Sequence, residues 1–533
     1  MHYKCTYHPI IIIFVAVFIR NVITKAYVTR QNVLLIFIDD LRHLVDENVP
    51  LPNLSNMASS GVIFKQAYAQ QALCAPSRNS MLTGRRPDSI RLYDFYSYWR
   101  DTIGNYTTIP QFFKENDYDT YSVGKIFHPG QSSNFTDDYP YSWSQYPYHP
   151  PTEKYKDAPV CKDKVTKKLQ SNLVCPVTVM KQPGKSLPDL QSLDYAVNLL
   201  KTRNSSKPYL LAVGFYKPHI PLKFPKQYLG SFYLCTEKIP IDKVKPPKMA
   251  FMPKQMPIVS WHPWTDVRQR DDIKRLNISF PMGLMPQEWT LKIRQSYYAA
   301  AMYVDDLIGV LMQYVDLRKT VVVLTSDHGW SLGENGLWAK YSNFEVALRV
   351  PLIISAPGLP HSKVNVPVEL IDLFPTLVEL SGIQKDIPEC THQDKSILCF
   401  EGKSLVPLMK ATQNICGEIF AISQYPRPRV CPQKNSDKPR LKDITIMGYS
   451  IRTKRYRYTE WVGFNNTSFI INWNILHGIE LYDHTMDPEE SNNLVSTKYN
   501  NIKRYLSKLL RSRVDPQYLN STKQNNKIVI AHL

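Results

Sequence analysis

The tightest constraint on the fold of this chain is an apolar run with no polar break. Val33-Leu-Leu-Ile-Phe-Ile38 is apolar throughout and stops at Asp39-Asp40. A half-solvated strand would alternate. An unbroken run reads as a strand buried on both faces, which requires a layer above it and another below. Leu210–Phe215, Val321–Thr325 and Pro351–Ser355 share that character, and Tyr118–Val123 is a weaker version. Helical patterns lie between them. The longest is Gln287–Tyr314, with Leu291, Tyr298, Met302, Leu307 and Leu311 toward one side and Asp305-Asp306 as solvated or capping charges. Alternation of this kind predicts an α/β fold around a large mixed, mostly parallel sheet.

The character changes after Tyr425. Pro426–Lys438 is rich in Pro, Arg and Lys and reads as a linker or surface crossing. Met447–Thr453 and Tyr456–Val462 alternate as antiparallel strands do, and Lys498–Arg511 looks like a final amphipathic helix. The domain reading is a signal peptide over 1–26, a large domain over 27–425, and a small α+β domain with an antiparallel sheet over 426–533.

The signal peptide rests on Lys4 and His8 before the apolar Ile10–Ile19, followed by Arg20. That stretch is too short to span a bilayer and suits an h-region, with a buried N-terminal strand as the alternative. No later apolar run approaches the ~18 residues of a membrane span. Of nine cysteines, Cys161/Cys175 and Cys390/Cys399 are close pairs able to close short loops as disulfides; Cys416/Cys431 is a weaker third, Cys5 falls in the leader, and Cys235 has no evident partner. Asn-X-Ser/Thr triplets start at Asn53, Asn105, Asn134, Asn204, Asn277, Asn465, Asn466 and Asn520, and Asn105, Asn134 and Asn277 are taken as candidate glycosylation sites. Lys and Arg exceed Asp and Glu by 65 to 46, a formal charge of +19. Cleavage near Ala26 would remove Lys4, Arg20 and Lys25 and no acid, leaving a surplus of +16. Such a surface favours an acidic partner. A signal peptide and sequons argue against nucleic acid and for a sulfated polysaccharide.

Several of the strands run into residues able to do chemistry. Val33–Ile38 meets Asp39-Asp40, Val321–Thr325 meets Ser326-Asp327-His328, Leu210–Phe215 meets Lys217-Pro218-His219, and Tyr118–Val123 meets Lys125 and His128. In open α/β sheets the ligand crevice lies beyond the carboxyl ends of the strands. Asp39, Asp40 and Asp327 brought together would repel unless a cation joined them, and an oxygen-rich set favours Ca²⁺ or Mg²⁺. From the residues alone, the Asp pair also fits a plain helix cap. Cys74-Ala-Pro-Ser-Arg78 is the sharpest signal. Pro76 suits a first helical turn, which sets Cys74 at a helix N-terminus with Arg78 one turn on. A buried structural cysteine is the bland alternative.

Cys74-X-Pro-Ser-Arg78 followed by Leu82-Thr-Gly-Arg85 resembles the signature of the sulfatase family, in which the cysteine is oxidised to formylglycine. The similarity covers nearly the whole mature chain. Lys217–Pro221, Thr325–Trp330, Trp338–Phe344 and Gly448–Arg452 resemble members that act on glycosaminoglycans, and Glu480–Asp483 with Asp487-Pro488 and Asn493-Leu494 resembles the family's C-terminal pattern. The resemblance implies an alkaline-phosphatase-like sandwich, one Ca²⁺, and maturation of Cys74 by the formylglycine-generating enzyme. It implies a lysosomal, monomeric exo-sulfatase that removes the 2-O-sulfate of terminal L-iduronate in heparan sulfate and dermatan sulfate. It makes Asp39, Asp40, Cys74, Asp327 and His328 the metal ligands, although many sulfatases carry Asn where His328 stands. It makes Cys74 the nucleophile and sets Arg78, Lys125, His128, His219 and Lys340 around the sulfate. For the sugar, Arg42 and Lys340 are expected to meet the iduronate carboxylate, and Trp330 and Trp338 to pack on the ring. Competing readings are a two-zinc phosphatase or phosphodiesterase of the same superfold, a sulfatase for another glycosaminoglycan position, and a non-catalytic secreted heparan-binding protein on the same scaffold.

Overall fold

Strand β1 (Asn32–Ile38) forms at the unbroken apolar run and sits inside a seven-stranded sheet. The computed structural model describes residues 30–44, 49–163, 166–204, 206–229, 241–391, 396–410 and 418–517. The signal peptide with Cys5, and Cys235, Cys416 and Asn520, lie outside the described residues. The other strands of this sheet are β2 (Val62–Tyr68), β3 (Asp119–Gly124), β4 (Tyr209–Phe215), β5 (Thr320–Ser326), β6 (Arg349–Ser355) and β7 (Ser362–Glu369). Their order is β7-β2-β6-β5-β1-β4-β3. β1 pairs in parallel with β5 and β4, β4 with β3, and β2 with β7; only β6 runs against its neighbours. The expected mixed, mostly parallel sheet is what forms.

The apolar run is continuous because each face has its own layer. Leu34, Ile36 and Ile38 enter one core, and Val33, Leu35 and Phe37 enter the other. On the first side lie helices α1 (Pro52–Ser60), α3 (Pro188–Thr202) and α4 (Gln287–Met312); on the second lie α2 (Cys74–Thr83) and α5 (Leu373–Ser381). Asp305 on α4 accepts from the backbone N–H groups of Asn53 and Leu54, so it caps α1. Helix α2 is buried along its entire length. It ends at Gly84, whose φ of 65° closes the helix in the left-handed region that glycine tolerates.

A second sheet follows, antiparallel, from β8 (Phe420–Arg427), β9 (Ile446–Thr453), β10 (Tyr456–Asn465) and β11 (Ile470–Asp483). Helix α6 (Asn500–Val514) covers it with Leu506 and Leu510. The sheet therefore begins at Phe420, ahead of the change of character read at 426. Pro426 lies inside β8, where it is tolerated because β8 is an edge strand. Cys161–Cys175 and Cys390–Cys399 are disulfides as expected. Cys431 is a free, exposed thiol. Asn105, Asn134 and Asn277 are all exposed. Among the described residues, no helix is long and apolar enough to cross a membrane.

Candidate active site

The polar residues that end four strands do converge, because those strands are neighbours in the order β5-β1-β4-β3. β1 delivers Asp39 and Asp40, β5 delivers Asp327 and His328, β4 leads to His219 and β3 to Lys125. The close approach of β3 and β4 is set by two glycines. A Cβ on Gly214 would meet the Lys125 carbonyl oxygen at 2.0 Å, and one on Gly124, at φ +74°, would meet the Gly214 oxygen at 2.2 Å. Asp39-Asp40 does not cap a helix. Asp40 has φ 63°, and the next described helix starts at Pro52. The turn is held by Tyr297 of α4, whose hydroxyl donates to the Asp40 carbonyl at 2.6 Å and accepts from the Arg42 N–H at 2.9 Å.

Cys74 opens α2 and is buried among these groups. Its Sγ lies 2.9 Å from Lys340 Nζ, 3.4 Å from His328 Nε2 and 4.0 Å from Asp40 Oδ1. Arg78, one turn along, donates from Nη2 to Asp39 at 2.9 Å and from Nε to Asp327 at 2.8 Å. Lys125 donates to the other Asp39 oxygen at 2.5 Å, and Lys340 to Asp40 Oδ1 at 2.7 Å. Three carboxylates thus face three fixed cations. His219 Nε2 stands 3.9 Å from Asp40 Oδ2, with its side chain 27% exposed toward the cleft.

Burial dominates the electrostatics. It pushes the Asp40 carboxyl up to about 7 against the opposing pull of Lys340. Burial would also raise Asp39, but Lys125, His219 and Arg78 outweigh it and hold Asp39 well below the usual carboxylate range. Burial works against the Cys74 thiolate as well, yet Lys125 and Lys340 bring the thiol down to about 7. His219 and His128 are both pushed well below ordinary imidazole, chiefly by burial, with nearby lysines adding to it. His219 Nδ1 lies 2.7 Å from the Ile220 carbonyl, which can only accept, so the neutral ring carries its proton there and leaves Nε2 bare. Burial lowers His328, but the Asp327 carboxylate outweighs it and raises the imidazole.

A divalent ion fits this arrangement. Single ligand atoms of Asp40, Cys74, Asp327 and His328 lie within 4.8 Å of one another, and all four residues are buried. Asp40 Oδ2 is buried with no hydrogen-bond partner, the kind of acceptor a cation satisfies. His328 Nδ1 is 3.0 Å from the Gly329 carbonyl, so Nε2 is the nitrogen free to coordinate. Asp39 belongs to the same cluster but stands outside these four, with its oxygens on Arg78 and Lys125.

Three expected sugar contacts are not brought into the cleft. Trp330 and Trp338 are each only 1% exposed. Trp330 stacks on Tyr297, with centroids 5.6 Å apart, and so backs the residue that holds the Asp40 turn; Trp338 packs edge-on against Trp330. The Arg42 guanidinium lies 2.9 Å from Glu334, a carboxylate it shares with Arg294. Two features escaped the sequence reading. Tyr297 was not among the residues singled out in the long helix. Phe95, whose ring lies 4.4 Å from that of His128, carried no motif.

A parallel α/β core whose strand ends gather carboxylates, cations and a helix-borne nucleophile position defines an alkaline-phosphatase-like hydrolase. The chain belongs to the sulfatase family, whose model, described as Sulfatase, matches residues 31–383. It is a sulfuric ester hydrolase. It is 46% identical to the iduronate 2-sulfatase of Homo sapiens over 87% of this chain and 90% of that protein, and equally so to that of Mus musculus. Solved structures share the fold at low identity. A 2-O GAG sulfatase matches with TM-score 0.62 at 19% identity, over 93% of this chain and 94% of that one. A phosphonate monoester hydrolase from Silicibacter pomeroyi matches with TM-score 0.66 at 20% identity, over 91% and 95%. Sulfatases generally use a formylglycine and a divalent metal, and the Asp40 cluster is able to hold the metal.

Proposed function

We propose that this protein is an exo-sulfatase that removes the 2-O-sulfate from terminal L-iduronate in heparan sulfate and dermatan sulfate. The observation that carries the reading is Cys74 at the start of α2, ringed by Lys340, His328 and Asp40, in a chain 46% identical to curated iduronate 2-sulfatases. Cys74 is matured to formylglycine by the formylglycine-generating enzyme. The metal is Ca²⁺: with an oxygen donor replacing sulfur at position 74, the set becomes oxygen-rich, which hard cations favour. The metal ligands are Asp39, Asp40, Asp327, His328 and position 74. Residues 1–26 are a signal peptide, the catalytic and C-terminal domains follow, and the monomeric protein works in the lysosome.

When present, the hydrated aldehyde and the ion supply a hydroxyl activated for in-line attack on sulfur and a second hydroxyl for release. The chain's own groups do the rest. Arg78 and Lys125 hold Asp39 and Asp327 ionised and rigid. Lys340, kept protonated by Asp40 and Cys74 despite its burial, points at the reacting position and offsets charge on the sulfuryl oxygens. His219 Nε2 is bare at rest. The anionic ester brought beside it favours imidazolium, which then passes its proton to the departing sugar oxygen. His128, held neutral, is the base for release.

The test is sulfate release at acidic pH with Ca²⁺ from a disaccharide ending in 2-O-sulfo-iduronate, using protein from a host that makes formylglycine. Turnover is the expected result. Absence of turnover with position 74 proved to be aldehyde by peptide mass would mean a sulfatase for another sugar. An unmodified thiol without turnover would favour the binding-protein reading, which the +16 mature charge keeps open.

A further inference from the structure

Two glycosylation triplets overlap where β10 turns into β11, in Asn465-Asn466-Thr467-Ser468. Each asparagine has a hydroxyl residue two positions on, so the motif alone accepts either. The structure separates them by what each side-chain amide already holds. Asn466 spends both of its N–H bonds. Its Nδ2 donates to the Lys442 carbonyl at 3.0 Å and to the Ile444 carbonyl at 2.8 Å, which ties the hairpin tip to the turn before β9. Ile444 is wholly buried. A sugar on that nitrogen would replace one of the two hydrogens and would have to fit between the tip and that turn. Asn465 uses only its oxygen. Its Oδ1 accepts from the Thr467 and Ser468 N–H groups, each at 2.9 Å, and so shapes the turn. Among the described residues no acceptor meets its Nδ2, and the residue is exposed.

The surroundings of Asn465 call for a cover. Asn465 and Ile470 are the last cross-strand pair of the hairpin and share one face. Ile470 is 63% exposed, and Ile475 and Leu476 farther along β11 are exposed too. β11 is the edge of its sheet. An exposed edge with apolar residues is a template for pairing with another chain. A hydrated oligosaccharide rooted at Asn465 would stand beside Ile470 and keep other chains off this edge.

We propose that Asn465 carries an N-linked glycan, that Asn466 does not, and that this glycan screens the edge of β11. The inference rests on the reading of residues 1–26 as a signal peptide, because the donor, a lipid-linked oligosaccharide pyrophosphate, is met in the secretory pathway. Asn465 Nδ2 bonds to C1 of the first N-acetylglucosamine. The C1–O bond to pyrophosphate breaks, its electron pair leaves with the lipid pyrophosphate, and the amide gives up one N–H proton. Transfer precedes folding, so the fold acts as the filter: chains with a sugar on Asn466 cannot close the bonds to Lys442 and Ile444.

The test treats protein secreted from a eukaryotic host with peptide N-glycanase in heavy-oxygen water, which turns each glycan-bearing asparagine into a labelled aspartate, and sequences the peptides by mass. Most molecules are expected to carry the label at Asn465 and none at Asn466. Thr467→Ala destroys the first triplet and leaves Asn466-X-Ser468 whole; it should lose the label at Asn465 without gaining one at Asn466. Label at Asn466 in either protein, or label at Asn105, Asn134 or Asn277 with none at Asn465, overturns the assignment. Label at no asparagine takes the secretory reading down with it. For the screening, Asn465→Gln should self-associate, by light scattering, at concentrations where the parent and Asn465→Gln/Ile470→Lys do not, with kcat unchanged in all three. An Asn465→Gln protein that associates no more than the parent overturns that role.

Discussion

Two clusters of buried acids each draw on the loop that joins β5 to β6, and both bring carboxylates and histidine within metal-binding reach. In the first, around Asp40, an oxygen is left without a donor. In the second, around Glu345 and Glu490, every oxygen is answered. Glu345 accepts from Tyr68 at 2.8 Å on one oxygen and from Arg452 and Arg457 at 3.1 and 2.6 Å on the other. Glu490 faces Arg457 at 2.5 Å and His484 at 2.9 Å on one oxygen, and accepts from the Glu345 N–H at 2.6 Å on the other. Proximity alone does not separate them. Donors counted oxygen by oxygen do: a satisfied buried network holds parts together, whereas an unmet acceptor awaits a ligand. The second cluster ties β2, the β5–β6 loop and the C-terminal sheet into one body.

The sharpest way to break the comparison is at position 74. Cys74→Ser offers one hydroxyl where the mechanism needs two. One equivalent of sugar product should appear and steady turnover should fall by about 10⁴-fold or more, read by rapid quench and by mass of the sulfated serine peptide. Sustained turnover would refute the assigned chemistry. Next is Arg457→Met, which strands Glu345 and Glu490. It should cost about 3–5 kcal/mol in urea unfolding, with kcat per folded molecule unchanged. Asp40→Asn should do the reverse. Measured with chelator, it should cost little stability, because burial already holds the Asp40 carboxyl up to about 7 and the amide keeps an oxygen for Lys340. Yet activity should be lost, and the rise in melting temperature that added Ca²⁺ gives the parent should vanish.

The smallest expected effect is on pH. Burial would raise Glu345, but Arg452, His484 and Arg457 outweigh it and hold it well below its usual 4.5. Glu490 is lowered too: burial opposes, and Arg457 and His484 prevail. The unfolded chain therefore takes up protons first as pH falls, so stability rises with pH across that window. The stabilisation is complete above about 4.5 and is lost only as pH drops through the lower folded values. In Arg457→Met the loss should begin at higher pH, seen as an earlier acid transition in tryptophan fluorescence.

Much of the catalytic centre was legible because strand ends announce themselves: an apolar run that stops at Asp39-Asp40 or Asp327-His328 marks both element and site. The start of helix α2 and its cysteine were legible from Pro76; its end at Gly84 was not read from the sequence. The start of the C-terminal sheet was not, since Pro426 in an edge strand looks like a strand terminator. Trp330, Trp338 and Arg42 are more deeply packed than their sequence suggests, for a common reason. Composition shows that a side chain can meet a sugar or a carboxylate. It does not show that Tyr297 and Glu334, far away in sequence, have already claimed those faces.

Lys340 and Glu345 lie a few residues apart in that one loop, so the segment that brings Lys340 to Cys74 is also the segment pinned to the C-terminal sheet. In a cell, substitutions at the pin would be felt as shortage: molecules withdrawn by quality control before they met substrate, while each survivor worked at full rate. By mass action, an inhibitor that seats against Lys340 and favours the folded state would raise the amount of such variants.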